Sequence, residues 1–410
     1  MPLFILADDL TGAADSAARC HHAGLAAHVY LSPPVAAWPE GAVAFSTDSR
    51  YLAPTAAAAQ VRTLLAALGT PQPAQWYKKI DSTLRGNIGA ELDAMLAALS
   101  PQNALPCAVI CPAFPAQGRG LLDGCLVYDQ GATPGLHLPT LLAAQTARPV
   151  AALPLSTVWA GVAQLAEALQ MAQQQGAQLI VVDAMSEDDL RHLLAATQQA
   201  LPQALLCGSA GLIEPLAREL AKNSPRRPPE DPDVRALHKP MLAVIGSGSQ
   251  MTHRQLAALR QRSDVRCLAL AVDSPRDLPS DSPSDSPGQN AAGVLAAGTD
   301  WALHLPQPDE QVLLEGALAR QSVAHLTQMA VEWINYWQPQ TLLVVGGDTA
   351  VHLLHRLGIQ QLTIIRELMP GIPLCVGRDA LGHQRQIITK AGNFGDEETL
   401  VRLFQAGSRE

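Results

Sequence analysis

The sequence predicts an α/β protein of two domains, each built on a mainly parallel sheet. Three observations carry this. Apolar runs of strand length alternate with longer stretches of helical periodicity, the rhythm of an α/β chain. Several of the runs end in a Gly, Ser or Asp turn. At 410 residues and 48% hydrophobic content the chain can bury two ordinary cores.

The predicted strands follow in order: "LFILA" at 3–7, "AVAFS" at 42–46, "AVICPAF" at 108–114, "LIVVDA" at 179–184, "ALLCGSA" at 204–210, "MLAVIGSGS" at 241–249 and "TLLVVGGDT" at 341–349. Ligands of doubly wound sheets collect at the carboxyl ends of the strands, so polar residues placed there carry the most weight. "NSPRRPPEDPDVRALHKP" at 223–240 is rich in proline and charge and suits a linker, which puts the domains at 1–234 and 235–410. "DSPRDLPSDSPSDSPGQN" at 273–290 has little to bury and reads as a surface loop without chemistry.

A net charge of −9 with 28 Lys and Arg gives no basic field for duplex nucleic acid or an anionic membrane. Met1 to Ala7 lack a basic start, and Asp8 cuts the first apolar run short of a signal segment. No apolar run approaches the roughly 20 residues that cross a bilayer, so a soluble, cytoplasmic protein is expected. Seven scattered cysteines make no disulfide framework. Cys107 and Cys111 fall on one face of a strand and are expected as buried small hydrophobes. No metal site is assigned.

The first strand ends in Asp8 and Asp9, followed by Thr11, Gly12 and a helix expected from about Ala13. One aspartate would suffice as a helix cap. A second adjacent charge implies another task, such as accepting hydrogen bonds from substrate hydroxyls or taking a proton. "KKIDSTLRGNIGAEL" at 78–92 gathers Lys79, Asp81, Ser82, Thr83, Arg85 and Gly86. Arg85 offers a planar fork for a carboxylate, Lys79 a compact positive charge and Asp81 an acceptor for hydroxyls, the inventory for holding a small polyhydroxy acid. A solvated, capped helix start is the plain alternative. "STDSR" at 46–50 adds Asp48 and Arg50, and "CPAFPAQGRG" at 111–120 adds Arg119, which a plain surface turn explains equally well.

The second domain offers glycine and hydroxyl in place of charge. Gly246, Ser247, Gly248 and Ser249 lie between a strand and a helix, where backbone amides and hydroxyls suit a phosphate. The spacing matches neither the dinucleotide-binding glycine pattern, since Met251 stands at the third glycine, nor a P-loop. Gly346, Gly347, Asp348 and Thr349 repeat the geometry, and Gly392 and Gly395 supply a third turn.

Taken together, "ADDLTGAAD", "KKIDSTLRGNIGAEL", "CPAFPAQGRG", "GSGSQMT", "VVGGDT" and "KAGNFG" resemble the ordered motifs of the four-carbon acid sugar kinase family, from residue 3 to about residue 402. The resemblance implies an N-terminal domain for the sugar acid, a C-terminal domain for ATP, and transfer of the γ-phosphoryl group to the terminal hydroxyl of a threonate-, erythronate- or 3-oxotetronate-like substrate. By motif, Asp8, Asp9, Lys79, Asp81, Ser82 and Arg85 would meet the acid sugar, and Ser249, Gly346 to Thr349, Gly392 and Gly395 the nucleotide. Mg²⁺ would bridge the phosphates, Lys79 or Arg85 would fix the substrate carboxylate, and Asp9 or Asp81 would accept the hydroxyl proton. Closure over both ligands is implied, since an open site would lose the phosphoryl group to water. Residues 121–149 are expected to form a strand pair and a loop over the substrate. Two other readings stand beside the kinase: an NAD-dependent hydroxy-acid dehydrogenase, and a nucleotide-dependent sugar-acid sensor without turnover. A homodimer is compatible with the sequence.

Overall fold

A computed structural model of the chain describes residues 2–33, 38–69, 75–99, 106–128, 133–224, 236–270, 299–306 and 316–406. The Asp-Ser-Pro stretch at 273–290 and most of the proline-rich linker lie outside these residues. The chain divides into two units, Met1–Pro228 and Pro229–Glu410.

In the first unit the apolar runs become strands because each is buried on both faces, the condition of a parallel sheet covered by helices. In chain order the elements begin β1 (Leu3–Ala7), α1 (Leu10–His22), β2 (Ala27–Tyr30), β3 (Ala42–Ser46), α2 (Pro54–Leu68), β4 (Gln75–Lys79), α3 (Ile88–Leu99) and β5 (Ala108–Cys111). Three short strands follow, β6 (Arg119–Leu122), β7 (Cys125–Tyr128) and β8 (Thr133–His137). The unit closes with α4 (Leu138–Gln145), β9 (Val150–Leu153), α5 (Leu155–Trp159), α6 (Val162–Gln174), β10 (Leu179–Val182), α7 (Glu187–Ala200), β11 (Leu205–Gly208) and α8 (Ala210–Ala221).

Its main sheet runs β2-β3-β1-β4-β11-β5-β10-β9, parallel throughout. From β1 the chain runs to β2 at the outer edge, returns to β3 beside β1 and then crosses to β4 on the other side, so β1 and β4 flank the switch point where such sheets bind ligands. Phe4 stacks on Trp76 at 4.9 Å beneath it. Where the sequence suggested a strand pair, β6, β7 and β8 form a separate antiparallel sheet of three strands. Asp183, just past β10, fastens it by accepting the amides of Asp123 (2.6 Å) and Gly124 (2.9 Å).

The second unit comprises β12 (Met241–Ile245), α9 (Gln250–Leu259), β13 (Val265–Ala269), β14 (Asp300–His304), α10 (Gly316–Trp337), β15 (Thr341–Val345), α11 (Gly347–Arg356), β16 (Gln361–Met369), β17 (Ile372–Arg378), β18 (Gln384–Lys390) and α12 (Thr399–Ala406). Its sheet runs β13-β14-β12-β15-β18-β17-β16, parallel from β13 to β18 and antiparallel beyond. Here β12 and β15 flank the reversal of strand order. Among the described residues no helix is long and apolar enough to cross a membrane.

Candidate active site

The charged residues of the first unit converge at the carboxyl ends of β1, β3 and β4. Helix α1 starts at Leu10, earlier than expected, because Asp9 is its cap. Asp9 Oδ1 accepts from Gly12 N (2.8 Å) and Oδ2 from Thr11 Oγ1 (2.6 Å). Arg50 then grips both aspartates: Nε and Nη2 donate to Asp8, Nη1 and Nη2 to Asp9, each at 2.8 Å. Burial by itself would raise the Asp9 carboxyl, but Arg50, Lys79 and the bonds from Thr11 and Gly12 hold it below the ordinary carboxylate range.

Lys79 closes β4 with its ammonium over the first turn of α1, where a Cβ on Gly12 would lie 3.1 Å from it and 2.6 Å from Asp9 Oδ1. Glycine is therefore what admits the lysine so close to the helix N-terminus. Asp81 is buried, and its Oδ2 accepts from Thr83 Oγ1 and from Arg85 Nε (2.6 Å). Burial pushes its carboxyl up, but the hydrogen bond from Arg85 and the charge of Arg50 leave it well below the usual range. Asp81 Oδ1 has no hydrogen bond among the described residues. Ser82 accepts from Arg119 Nη1 at 2.5 Å.

Of the residues singled out in the sequence, Asp8, Asp9, Arg50, Lys79, Asp81, Ser82 and Arg85 share this locality. Asp48 instead sits exposed at the apex of its turn with φ +49°, its amide on Ser46 Oγ. Arg85 is 45% exposed and already engaged by Asp81. Arg119, which the sequence left undecided, is held only by a neutral serine in these bonds, and burial draws its guanidinium below its usual value. The antiparallel sheet supplies it from β6, a placement that a glycine-flanked arginine could not announce.

Beneath the site, Lys78 and Glu91 form a fully buried pair at 2.6 Å. Ser49 Oγ donates to Glu91 at 2.7 Å and lies 2.6 Å from Thr47 Oγ1, which donates to Ala7 O. Strand β4, the loop after β3 and the end of β1 are thereby linked to α3. Cys107 and Cys111 are buried free thiols, pushed up by burial to about 11 and about 12.

In the second unit the loops after β12, β15 and β18 meet. Ser249 caps α9 by accepting from Thr252 N (3.2 Å), and Ser249 N donates to Ser247 Oγ (3.3 Å). Gly346, at φ +112°, precedes α11, and its amide donates to Lys390 O at 2.9 Å. Thr349 is buried beside Gly246, whereas Asp348 is exposed in the first turn of α11. A Cβ on Gly392 would strike Ser247 Oγ and come within 2.9 Å of Ser249 Oγ. Buried Gln255 accepts nothing here but donates to the carbonyls of Phe394 (2.9 Å) and Asp396 (2.8 Å), tying the loop around Gly395 to α9. The predicted nucleotide residues thus share one locality, with the hydroxyls of Ser247 and Ser249 partly spent on the cap. Gln255 and Lys390 escaped the sequence reading.

Residues 3–216 match the model of a sugar-binding N-terminal domain and residues 242–400 that of a nucleotide-binding C-terminal domain. A D-threonate kinase of Cupriavidus necator is 35% identical over 99% of this chain and 98% of its own. The chain belongs to the four-carbon acid sugar kinase family. Other members similar to it are a 3-oxo-tetronate kinase of Salmonella typhimurium, 30% identical over 97% of both chains, and a D-erythronate kinase of Heliobacterium modesticaldum, 31% identical over 62% of this chain and 59% of its own. A solved structure from Salmonella typhimurium superposes with a TM-score of 0.73 at 26% identity, covering 98% of each chain. The dehydrogenase and sensor readings find no support among these relatives.

Proposed function

We propose that the chain uses ATP to phosphorylate the terminal hydroxyl of a four-carbon acid sugar such as threonate, erythronate or 3-oxotetronate. Residues 1–234 would take the acid sugar and residues 235–410 the nucleotide. The observation that carries this reading is the charge arrangement at the switch point of the first unit. Asp81 is an ionised acceptor with one oxygen left for a substrate hydroxyl, Asp8 and Asp9 are both gripped by Arg50, and Arg119 is a cation without a carboxylate partner in the bonds described.

The roles follow from which valences are spent. Both oxygens of Asp9 are occupied by Thr11, Gly12 and Arg50, so Asp9 orders the turn and presents its charge to Lys79. Asp81 retains Oδ1 and is the acceptor we assign to the attacking hydroxyl. Its depressed pKa makes it a weak base, which a loose phosphoryl-transfer transition state tolerates because the proton can leave late. Arg119, with Lys79, holds the substrate carboxylate; Arg85 keeps Asp81 ionised. Ser247, Ser249, Gly346, Gly347, Thr349, Gly392 and Gly395 shape the nucleotide cradle.

For Mg²⁺, the exposed carboxylate of Asp348 beside Gly346 and Gly347 is a hard oxygen donor of the type this ion selects. When bound with ATP, Mg²⁺ would supply charge neutralisation on the phosphates. An ATP-dependent enzyme of small acids is placed in the cytoplasm on this reading, and light scattering would decide between monomer and homodimer.

The deciding experiment is coupled ADP release with Mg-ATP over D- and L-threonate, D- and L-erythronate and their 3-oxo forms, with Asp81→Asn alongside. Turnover of one acid that disappears in the folded variant supports the reading. Silence across the whole panel rejects it.

A further inference from the structure

Lys390 ends β18 opposite Val345, and its side chain is completely buried. Its ammonium donates to two carbonyls of its own loop, Ala391 O at 3.0 Å and Gly392 O at 3.3 Å. No carboxylate lies within ion-pair distance of it among the described residues. The other fully buried lysine, Lys78, has Glu91 at 2.6 Å. A buried ammonium without a counter-ion is costly, and folded proteins rarely retain one unless something anionic completes the site.

The surroundings indicate the anion. The Gly392 carbonyl that accepts from Lys390 also accepts from Thr252 Oγ1 (3.0 Å), in the first turn of α9. Gly392 itself is pressed against the hydroxyls of Ser247 and Ser249. Through its own carbonyl, Lys390 receives the amide of Gly346, which opens α11. The N-termini of two helices, a set of hydroxyls and an uncompensated cation therefore converge, and each favours a phosphate.

We propose that Lys390 is the counter-charge to the polyphosphate of the bound nucleotide, a binding residue that turns from its loop carbonyls to phosphate oxygens. The inference rests on the nucleotide-binding reading of this unit. Burial alone draws the lysine down to about 7, so near neutrality an adjacent anion also restores its proton.

Titration calorimetry of the full chain with adenosine, ADP and ATP tests this, comparing wild type with Lys390→Met and Lys390→Arg. The expected result is that Lys390→Met loses about 10- to 100-fold in affinity for ADP and ATP, the range of one charged hydrogen-bonding group. Adenosine should bind as before, and Lys390→Arg should recover part of the loss. Unchanged ADP affinity in Lys390→Met overturns the proposal. So does an equal loss of adenosine and ADP, which would make the lysine a purely structural element. A wild-type chain that binds none of these ligands would instead refute the nucleotide-binding reading on which the proposal stands.

Discussion

In the first unit the ends of β1, β3 and β4 and the loops that follow them meet as charge: Asp8, Asp9 and Asp81 against Arg50, Lys79 and Arg85. In the second unit the loops after β12 and β15 meet as Gly246, Ser247, Gly346 and Thr349, with one buried lysine that has no carboxylate within ion-pair distance among the described residues. The strand orders are analogous, yet the electrostatics are opposite. A polyhydroxy acid needs many acceptors held in fixed positions, which fixed charges provide once they neutralise one another. A nucleotide brings several negative charges of its own, so the protein needs only amides, hydroxyls and a cation left unbalanced.

The contrast is sharpest in stability. Arg50→Ala strands two buried carboxylates and should cost about 3–5 kcal/mol, as breaking a buried ion pair does. Lys390→Met removes an uncompensated charge and should leave the nucleotide-free chain as stable as wild type or more so. Thermal unfolding of the two variants checks this, and equal destabilisation would erase the distinction between the units.

Catalysis gives the next effect. Asp81→Asn keeps the shape but removes the acceptor's charge, and should lower kcat by about 10²- to 10⁴-fold with little change in Tm. Asp9→Asn, whose oxygens order a turn, should shift Tm more than it separates kcat from KM.

A pH series isolates the lysine. Its pKa is lowered on folding, to about 7 from the ordinary 10.5, so the unfolded chain holds the extra proton between those values. Stability contributed at this site should therefore rise with pH across that window and be least below about 7. The advantage of Lys390→Met over wild type should accordingly shrink from pH 7 to 10. An advantage independent of pH would mean that the lysine is not desolvated.

Smaller again is Gly12→Ala. Its methyl group would meet Asp9 Oδ1 at 2.6 Å and Lys79 at 3.1 Å, so it should cost about 1–3 kcal/mol and raise KM for the acid. Asp48→Asn, at an exposed apex, should change stability by less than about 0.5 kcal/mol.

Much of this was legible before the structure. Apolar runs ending in polar turns located the strands, and the rule that ligands gather at strand ends singled out Asp8, Asp9, Lys79 and Asp81. Partnership was not legible. Nothing in "STDSR" distinguishes Arg50, which is paired with two aspartates, from Asp48, which is exposed, because the pairing of Arg50 joins residues some forty positions apart. The earlier start of α1 follows from Asp9 turning inward to cap it. Lys390 closes the run "QIITK", where a terminal lysine reads as a solvated end. Its burial depends on neighbours from β15 and α9 that a single strand does not reveal.

The buried pair of Lys78 and Glu91 bears on how such a sequence can drift. Neither residue can be exchanged for an apolar one alone without stranding the other's charge beneath the loops of the site, while exchanging both can be nearly neutral. Through Ser49 and Thr47 the same constraint reaches the main chain of β1. Among descendants of this chain the two positions should therefore vary as a couple, with the serine following, and single-site intermediates should be scarce.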